Sequence, residues 1–166
     1  MMSNISYPKM SGGRSMKTLI VYASKYGCTE KCVSYISERL DGEIHVINLQ
    51  NNDITDISPY DAVIIGGSIY AGKIQGVVSK FAQDYLFELL KKKIGIFVCC
   101  ADDEKQEMQL KAAVPEVLFD YALAKGYFGH EFDFNKMRLI DKTLIKSIIK
   151  IKESEFSISY ENIKAF

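Results

Sequence analysis

The sequence predicts a single doubly wound α/β domain, in which a parallel sheet carries helices on both faces. The chain has 166 residues and is 48% hydrophobic, which suits one sizeable core and leaves too little for two domains of ordinary size. Short apolar runs recur along the chain and alternate with helical patterns. Strands that alternate with helices form right-handed βαβ crossovers, and these crossovers build a parallel sheet.

The elements are predicted in the following order. Residues 1–15 are polar and glycine-bearing, so they are interpreted as a flexible leader, and residues 16–166 as the domain. Strands covered on both faces are predicted at 18–22, 44–49, 62–65 and 94–99, with a weaker fifth at 125–132. Helical spacing of apolar residues follows the first strand at Val33, Ile36 and Leu40. It also follows the third strand, at Val78, Phe81, Tyr85 and Leu89.

Turn and cap residues define the remaining segments. After the fourth strand, Asp103 and Gln106 predict a capping box, and Pro115 must interrupt or restart the helix. Residues 50–59 are too polar and too few for a full helix, so they are predicted to be mostly loop. The final helix is expected at residues 159–166.

Composition excludes several classes of protein. Lysine and arginine number 21, as do aspartate and glutamate, so no net charge attracts the chain to nucleic acid. No apolar run approaches the roughly 18 residues that span a bilayer, and residues 1–15 lack the apolar core of a signal peptide. We therefore expect a cytoplasmic protein.

The four cysteines are Cys28, Cys32, Cys99 and Cys100, and they suit reduced thiols better than a secreted disulfide framework. No metal site is predicted, because neither a CxxC pair nor a histidine at ligand spacing accompanies them. Cys28 lies at a predicted helix start, where the dipole lowers the pKa of a thiol but a bound phosphate opposes this. It is interpreted as a small loop residue, with a redox-active thiol as the alternative.

Three loops follow the first, third and fourth strands, where open α/β sheets bind ligands. Residues 24–29 (SKYGCT) combine hydroxyls, a glycine and the amides of a new helix, which is typical of a site for a monophosphate. An ordinary turn capped by Ser24 or Thr29 is the alternative. Residues 66–73 (GGSIYAGK) contain glycines, which let the backbone approach a flat ligand closely, and Tyr70, whose ring could stack on it. An ordinary surface loop is the alternative. Residues 99–103 complete the crevice.

Other polar residues are interpreted more simply. His45 is predicted to be a packed or half-exposed strand residue at a sheet edge. His130, beside Phe128, Gly129 and Glu131, could approach a ligand, but no partner at fixed spacing supports that role. Asp102, Asp103 and Glu104 are interpreted as helix-start residues, not as a metal cluster.

The runs TLIVYASKYGCTEKCVSYISERL, YDAVIIGGSIYAGK and IGIFVCCADD occur in this order, and with them the chain resembles the flavodoxin family, most closely its protoporphyrinogen-oxidase-like branch. The resemblance implies the sheet order 2-1-3-4-5 and bound flavin mononucleotide (FMN). Residues implied to hold the FMN phosphate are Ser24, Lys25, Tyr26, Gly27, Cys28 and Thr29. Residues implied to line the flavin ring are Gly67, Ser68, Ile69, Tyr70, Ala71, Gly72, Cys99, Cys100, Ala101 and Asp102.

The chain also departs from ordinary flavodoxins. Tyr26 stands where they have a threonine, and the chain is neutral and has no tryptophan, whereas carrier flavodoxins are acidic and often stack a tryptophan on the ring. Residues 134–152 form a basic amphipathic pattern. Protoporphyrinogen-oxidase-like proteins carry a comparable insertion, so peripheral membrane contact is one interpretation and packing on the domain's own sheet is the other.

The leading hypothesis is an FMN-dependent oxidoreductase of the protoporphyrinogen-oxidase-like type, with no catalytic residue assigned. Its expected partners are a redox protein or a porphyrinogen- or quinone-like small molecule. An electron carrier between redox enzymes is the second hypothesis. A cofactor-free signalling domain of the receiver type is a remote third, because Ala23, Ser24, Gly66 and Gly67 occupy the places of its acidic residues.

Overall fold

The structure, a computed structural model, describes residues 14–148 and 150–166. The predicted leader at residues 1–15 lies outside the described residues except for its last two. Of these, Arg14 lies 3.6 Å from a carboxylate oxygen of Asp61. Ile149, inside the predicted amphipathic segment, also lies outside the described residues.

The strands form one main sheet and a separate hairpin. In chain order they are β1 (Lys17–Ala23), β2 (Glu43–Asn48), β3 (Ala62–Tyr70), β4 (Lys73–Ile74), β5 (Lys93–Cys99), β6 (Ala124–Tyr127), β7 (Gly129–Phe132) and β8 (Glu155–Ile158). Five parallel strands lie in the order β2-β1-β3-β5-β6, and β4 pairs antiparallel with β3. The predicted order 2-1-3-4-5 is therefore confirmed for the five parallel strands.

Helices cover both faces of this sheet. They are α1 (Cys28–Ser37), α2 (Gly76–Asp84), α3 (Leu86–Leu89), α4 (Gln106–Ala113), α5 (Glu116–Tyr121), α6 (Leu139–Ile148) and α7 (Tyr160–Ala165). The apolar core on one face joins the sheet to α1 and α7, and the core on the other face joins it to α2 through α5. The doubly wound fold is confirmed.

Burial follows the position of each strand in the sheet. All residues of β1 and β5 are buried except the first, as the continuous apolar runs predicted. The prediction that residues 44–49 are covered on both faces was wrong, because β2 is an edge strand whose side chains are exposed or only partly buried. His45 lies on this edge, half-exposed, and its Nδ1 is 2.8 Å from the Tyr60 hydroxyl.

The predicted fifth strand, 125–132, is divided in the structure. β6 stays in the main sheet, whereas β7 leaves it and pairs antiparallel with β8, which the sequence did not predict. Gly129 makes the break: its φ is 74°, and a Cβ there would lie 2.0 Å from the carbonyl oxygen of Ser157. Residues 133–154, including α6, therefore run between the two strands of this hairpin.

The helices after β3 and β5 also differ in detail from the prediction. The helix expected through Leu89 is broken at Tyr85, which separates α2 from α3. The Asp103 capping box was wrong, since α4 begins after Lys105 and it is the Asp102 carboxylate that accepts the Lys105 amide, at 3.2 Å. The break at Pro115 is confirmed between α4 and α5, and residues 50–59 contain no helix.

Candidate functional site

The three predicted loops meet at one edge of the sheet. Parallel pairing places Ala23 beside Gly67, and Ser68 beside Cys99. The carboxyl ends of β1, β3 and β5 are therefore neighbours, and β1 lies where the winding direction reverses. The fold thus produces the crevice that the sequence predicted.

The first loop ends in a helix start with free hydrogen-bond donors. Gly27 has a φ of 94°, a left-handed conformation that favours glycine, and its amide donates to Ser24 Oγ at 3.0 Å. The first amide of this helix to reach a backbone carbonyl is that of Lys31, which donates to Gly27 at 3.0 Å. The amides before it have no intrahelical partner. Thr29 is fully buried, and its hydroxyl has no partner among the described residues.

Cations surround this loop. An open cleft beside Gly27 is lined by three cationic side chains, Lys25, Lys136 and Arg138, and by one acidic side chain, Glu30. Because the helix N-terminus also carries a partial positive charge, the cleft favours an anion such as a phosphate. Lys136 and Arg138 belong to the segment between β7 and β8, so that segment contributes to the site.

Most of the segment predicted as the second loop belongs to a β-strand. β3 continues to Tyr70, and Ala71 and Gly72, with φ of 49° and 78°, form the turn to β4. The predicted loop at 66–73 was wrong in this respect. A Cβ at Gly66 would lie 2.0 Å from the Phe97 ring, so this glycine serves core packing and not the approach of a ligand.

The side chains of both cysteines in the third loop are buried inside the protein. Cys99 and Cys100 are each 3% exposed and belong to the cores on opposite faces of the sheet. Asp102 lies 2.8 Å from the Lys105 ammonium, and this hydrogen bond lowers the pKa of the Asp102 carboxyl. Of the predicted ring-lining residues in this loop, only Ala101 and Asp102 reach the crevice.

Asp141 of α6 contacts residues of both the first and the second loop. Its carboxylate, 10% exposed, lies 3.0 Å from Lys25 Nζ and accepts hydrogen bonds from the hydroxyls of Tyr26 and Tyr70. The bond from Tyr26, followed by that from Tyr70, lowers the pKa of Asp141 to about 2. Burial, and after it the same carboxylate, raises the pKa of both tyrosines. α6 therefore packs on its own domain across the crevice.

The space left in the crevice is small. Two cavities of about 130 and 30 Å³ lie there, whereas pockets for small ligands usually have about 300–1,000 Å³. The walls shared by both cavities are Ile69, Tyr70, Phe132 and Ile145. Because Phe132 and Ile145 come from β7 and α6, these elements divide and close the crevice.

Three thiols lie beneath the first loop. Cys32 Sγ is 3.6 Å from Cys99 Sγ, and Cys28 Sγ completes a buried triangle with them. Hydrogen bonds from Cys32 and then Cys99 lower the pKa of Cys28, and the same bonds raise the pKa of the other two thiols. Near them, Lys31 pairs with Glu131 at 2.7 Å and His130 lies 3.0 Å from Glu155.

The fold brings most of the predicted site residues to these cavities. Those that line one or both are Ser24, Lys25, Tyr26, Cys28, Ser68, Ile69, Tyr70, Ala71, Gly72, Ala101 and Asp102. Those that line neither are Gly27, Thr29, Gly67, Cys99 and Cys100. Sequence reasoning missed Phe132, Asp141, Leu144 and Ile145 as site residues. Only the amphipathic pattern of residues 134–152 indicated that this segment was special.

The fold and the site together define a class: a doubly wound domain with a crevice at the carboxyl ends of its central strands, bordered by a loop after the first strand that leads into a helix N-terminus. Residues 19–159 match the family model described as flavodoxin domain. The chain belongs to this family. A search of curated proteins found no match.

Several solved structures share the fold. Rubredoxin:oxygen oxidoreductase from Desulfovibrio gigas is 19% identical with a TM-score of 0.53, covering 92% of this chain but 37% of that one. A flavodoxin, WrbA-like protein from Agrobacterium tumefaciens is 21% identical with a TM-score of 0.54, covering 76% and 88%. A Fusobacterium nucleatum flavodoxin mutant bound to FMN is 14% identical with a TM-score of 0.51, covering 69% of each chain. This chain thus spans little more than a third of the oxidoreductase.

Among the described residues, the structure contains no helix with the length and apolar character needed to cross a bilayer.

Proposed function

We propose that this chain binds FMN and uses it for electron transfer, as an oxidoreductase of the protoporphyrinogen-oxidase-like type. The observation that carries the proposal is the first loop. The hydroxyl of Thr29 is buried and has no hydrogen-bond partner among the described residues. The first amides of α1 have no carbonyl acceptor within the helix. Such donors suit a phosphate monoester.

The residues present fit this cofactor. The phosphate would be held by residues 24–29, with Lys136 and Arg138 adding positive charge. The ring would lie between the hairpin that contains Tyr70 and the segment with Ala101 and Asp102. Bound FMN supplies one- and two-electron transfer, and the protein orients it and limits access of solvent.

We further propose that Asp141 competes with FMN for the same side chains. The cavities are too small for a flavin, and the walls that divide them belong partly to α6 and β7. The carboxylate holds Lys25 and Tyr26, which would otherwise face the phosphate end of the cofactor. Since a phosphate dianion repels a carboxylate, loading of FMN would release Asp141 and move α6 outward.

The apolar surface of α6 favours an enzyme over an electron carrier. Such an enzyme would act on a porphyrinogen- or quinone-like molecule. Leu139 and Ile140 are 79% and 81% exposed, and the helix also carries Lys142 and Lys146. A basic helix with exposed aliphatic residues suits contact with a membrane surface, where quinones dissolve. The matching test is sedimentation with anionic vesicles, comparing the protein with its Leu139→Ser/Ile140→Ser variant.

A carrier role is the second candidate, favoured by the compact size of the domain. The two roles separate in one assay. An enzyme of the proposed type would oxidise a porphyrinogen-like substrate catalytically without any protein partner. A carrier requires a second redox protein for turnover.

The binding proposal is tested by titrating flavin-free protein with FMN and with riboflavin, which lacks the phosphate, while following quenching of flavin fluorescence. Two charge-assisted hydrogen bonds of about 1.5 kcal/mol each make FMN bind at least about 100-fold more tightly. Equal affinity for the two flavins would contradict the role of the loop. No binding of either would end the proposal.

A further inference from the structure

Cys28, Cys32 and Cys99 bring three thiols together. The flavin proposal uses the backbone amide of Cys28 at the start of α1, but none of the three thiols. Their sulfur atoms all lie within 4.8 Å of one another, and those of Cys32 and Cys99 are 3.6 Å apart. The residues are 6%, 0% and 3% exposed. No histidine, aspartate or glutamate of the described residues joins the cluster. Three buried sulfur atoms therefore converge with no harder ligand beside them.

The fold holds this triangle from two sides. Cys28 and Cys32 are four residues apart on α1, so they lie on one face of the helix. Cys99 ends β5, the strand over which this helix packs. Cys100, the next residue, belongs to the core on the other face of the sheet. The cluster thus depends on tertiary packing, which explains why ligand spacing along the chain did not reveal it.

The distances select a three-coordinate ion. With a bond of about 2.3 Å from the ion to each thiolate, three sulfur atoms lie about 4 Å apart around a planar three-coordinate ion and somewhat closer together around a pyramidal one. Cys32 Sγ and Cys99 Sγ are 3.6 Å apart and all three sulfur atoms lie within 4.8 Å of one another, so small side-chain movements bring them to this spacing. Thiolates prefer soft ions. Zinc is less suited, because its structural sites take four ligands.

Charge then selects among the soft ions. Three thiolates carry three negative charges, so a monovalent ion leaves two of them uncompensated and a divalent ion leaves one. The core around the thiols includes Val33 and Phe128, which are nearly or fully buried, and the nearby charges of Lys31 and Glu131 already pair with each other. An unpaired charge on the complex is costly there. A trivalent ion gives a neutral complex.

We propose that Cys28, Cys32 and Cys99 bind trivalent arsenic as arsenite, As(OH)₃. Each thiol gives its proton to one hydroxyl of arsenite, so three As–O bonds are exchanged for three As–S bonds and three waters leave. Arsenic stays trivalent, and no oxidant or reductant is needed. Cys28 lines the small cavity beside Ser24 and Tyr26, which gives the ligand an entry path.

The test uses the full chain, with and without FMN, kept reduced by a phosphine and incubated with sodium arsenite. Native mass spectrometry then measures the added mass. One arsenic atom minus three hydrogen atoms is expected, because all three hydroxyls of arsenite leave. An adduct that retains a hydroxyl, which indicates only two thiols, overturns the proposal, as does the absence of any adduct.

Variants assign the ligands. Cys28→Ser, Cys32→Ser and Cys99→Ser are each expected to weaken arsenite binding by at least about 10-fold, measured by equilibrium dialysis. Cys100→Ser is the matched control, since it removes an equally buried thiol on the opposite face of the sheet, and its affinity should be unchanged. Equal losses in all four variants, or tighter binding of Zn²⁺ or Cu⁺ than of arsenite by the same three thiols, overturns the proposal. The mass measurement on the unaltered protein stands even if a serine variant unfolds.

Discussion

The hydroxyl of Thr29 gives the sharpest mutational test of the phosphate loop. Thr29→Val replaces this hydroxyl with a methyl group of similar size. A hydrogen bond to a charged group contributes about 1.5–3 kcal/mol, so the dissociation constant for FMN should rise about 10- to 100-fold. The flavin-free protein should not lose stability, because the hydroxyl that disappears is buried and unpaired.

Thr18→Val is the matched control. Thr18 is also buried with an unpaired hydroxyl, but it lies in the amino-terminal half of β1, away from the loop. Both variants should unfold at the wild-type temperature or slightly above it, and only Thr29→Val should lose FMN affinity in a fluorescence titration. An unchanged affinity for Thr29→Val, or an equal loss in both variants, would refute the assignment of this hydroxyl to the phosphate.

Three further predictions concern α6 and the packing of β3. The lowering of the Asp141 pKa from 3.8 to about 2 corresponds to about 2 kcal/mol, which is the most that loss of the charge in Asp141→Asn weakens the closed position of α6. FMN should then bind up to about 30-fold more tightly, whereas the exposed Asp84→Asn should leave FMN affinity unchanged. Weaker binding of FMN by Asp141→Asn would contradict competition. Since the pKa of Asp141 is lowered, its stabilisation is complete above pH 4 and is lost as the pH falls through about 2. Acid titration followed by circular dichroism should show this loss only when Asp141 is present. Gly66→Ala places a Cβ against the Phe97 ring and should lower the free energy of unfolding, measured in urea, by about 1–3 kcal/mol. An unchanged free energy of unfolding would contradict this, because it would mean that the Phe97 ring moves aside without cost.

The main sheet could be predicted because its signal is local. The apolar runs of β1, β3 and β5 reflect burial on both faces, and each run lies in one short stretch of sequence. The loops at their carboxyl ends follow from the same periodicity together with the rules of parallel sheets. Residues 24–29 could therefore be placed at the crevice without a structure.

The hairpin of β7 and β8 was missed for a physical reason. Residues 125–132 have the composition of one strand, and only the left-handed φ of Gly129 separates β7 from β6. β8 consists mostly of exposed residues, so its pattern carries no sign of burial. Glycine permits this conformation without requiring it, and the break could not be deduced from the sequence.

Contacts between distant residues were also beyond prediction. Lys25 and Asp141 are 116 residues apart in sequence, and Cys32 and Cys99 are 67 residues apart. Asp141 is an acidic residue in a segment whose evident pattern is basic and aliphatic, so its role depends on the way α6 lies across the crevice. Such contacts arise from packing and leave no periodic signal.

A crystal structure of the protein grown with FMN tests the central claim most directly. The phosphate oxygens should lie within hydrogen-bond distance of Thr29 Oγ1 and the first amides of α1, with the Asp141 carboxylate displaced from Lys25. FMN bound elsewhere, or bound with its phosphate in solvent while Asp141 keeps its contacts, would contradict the claim.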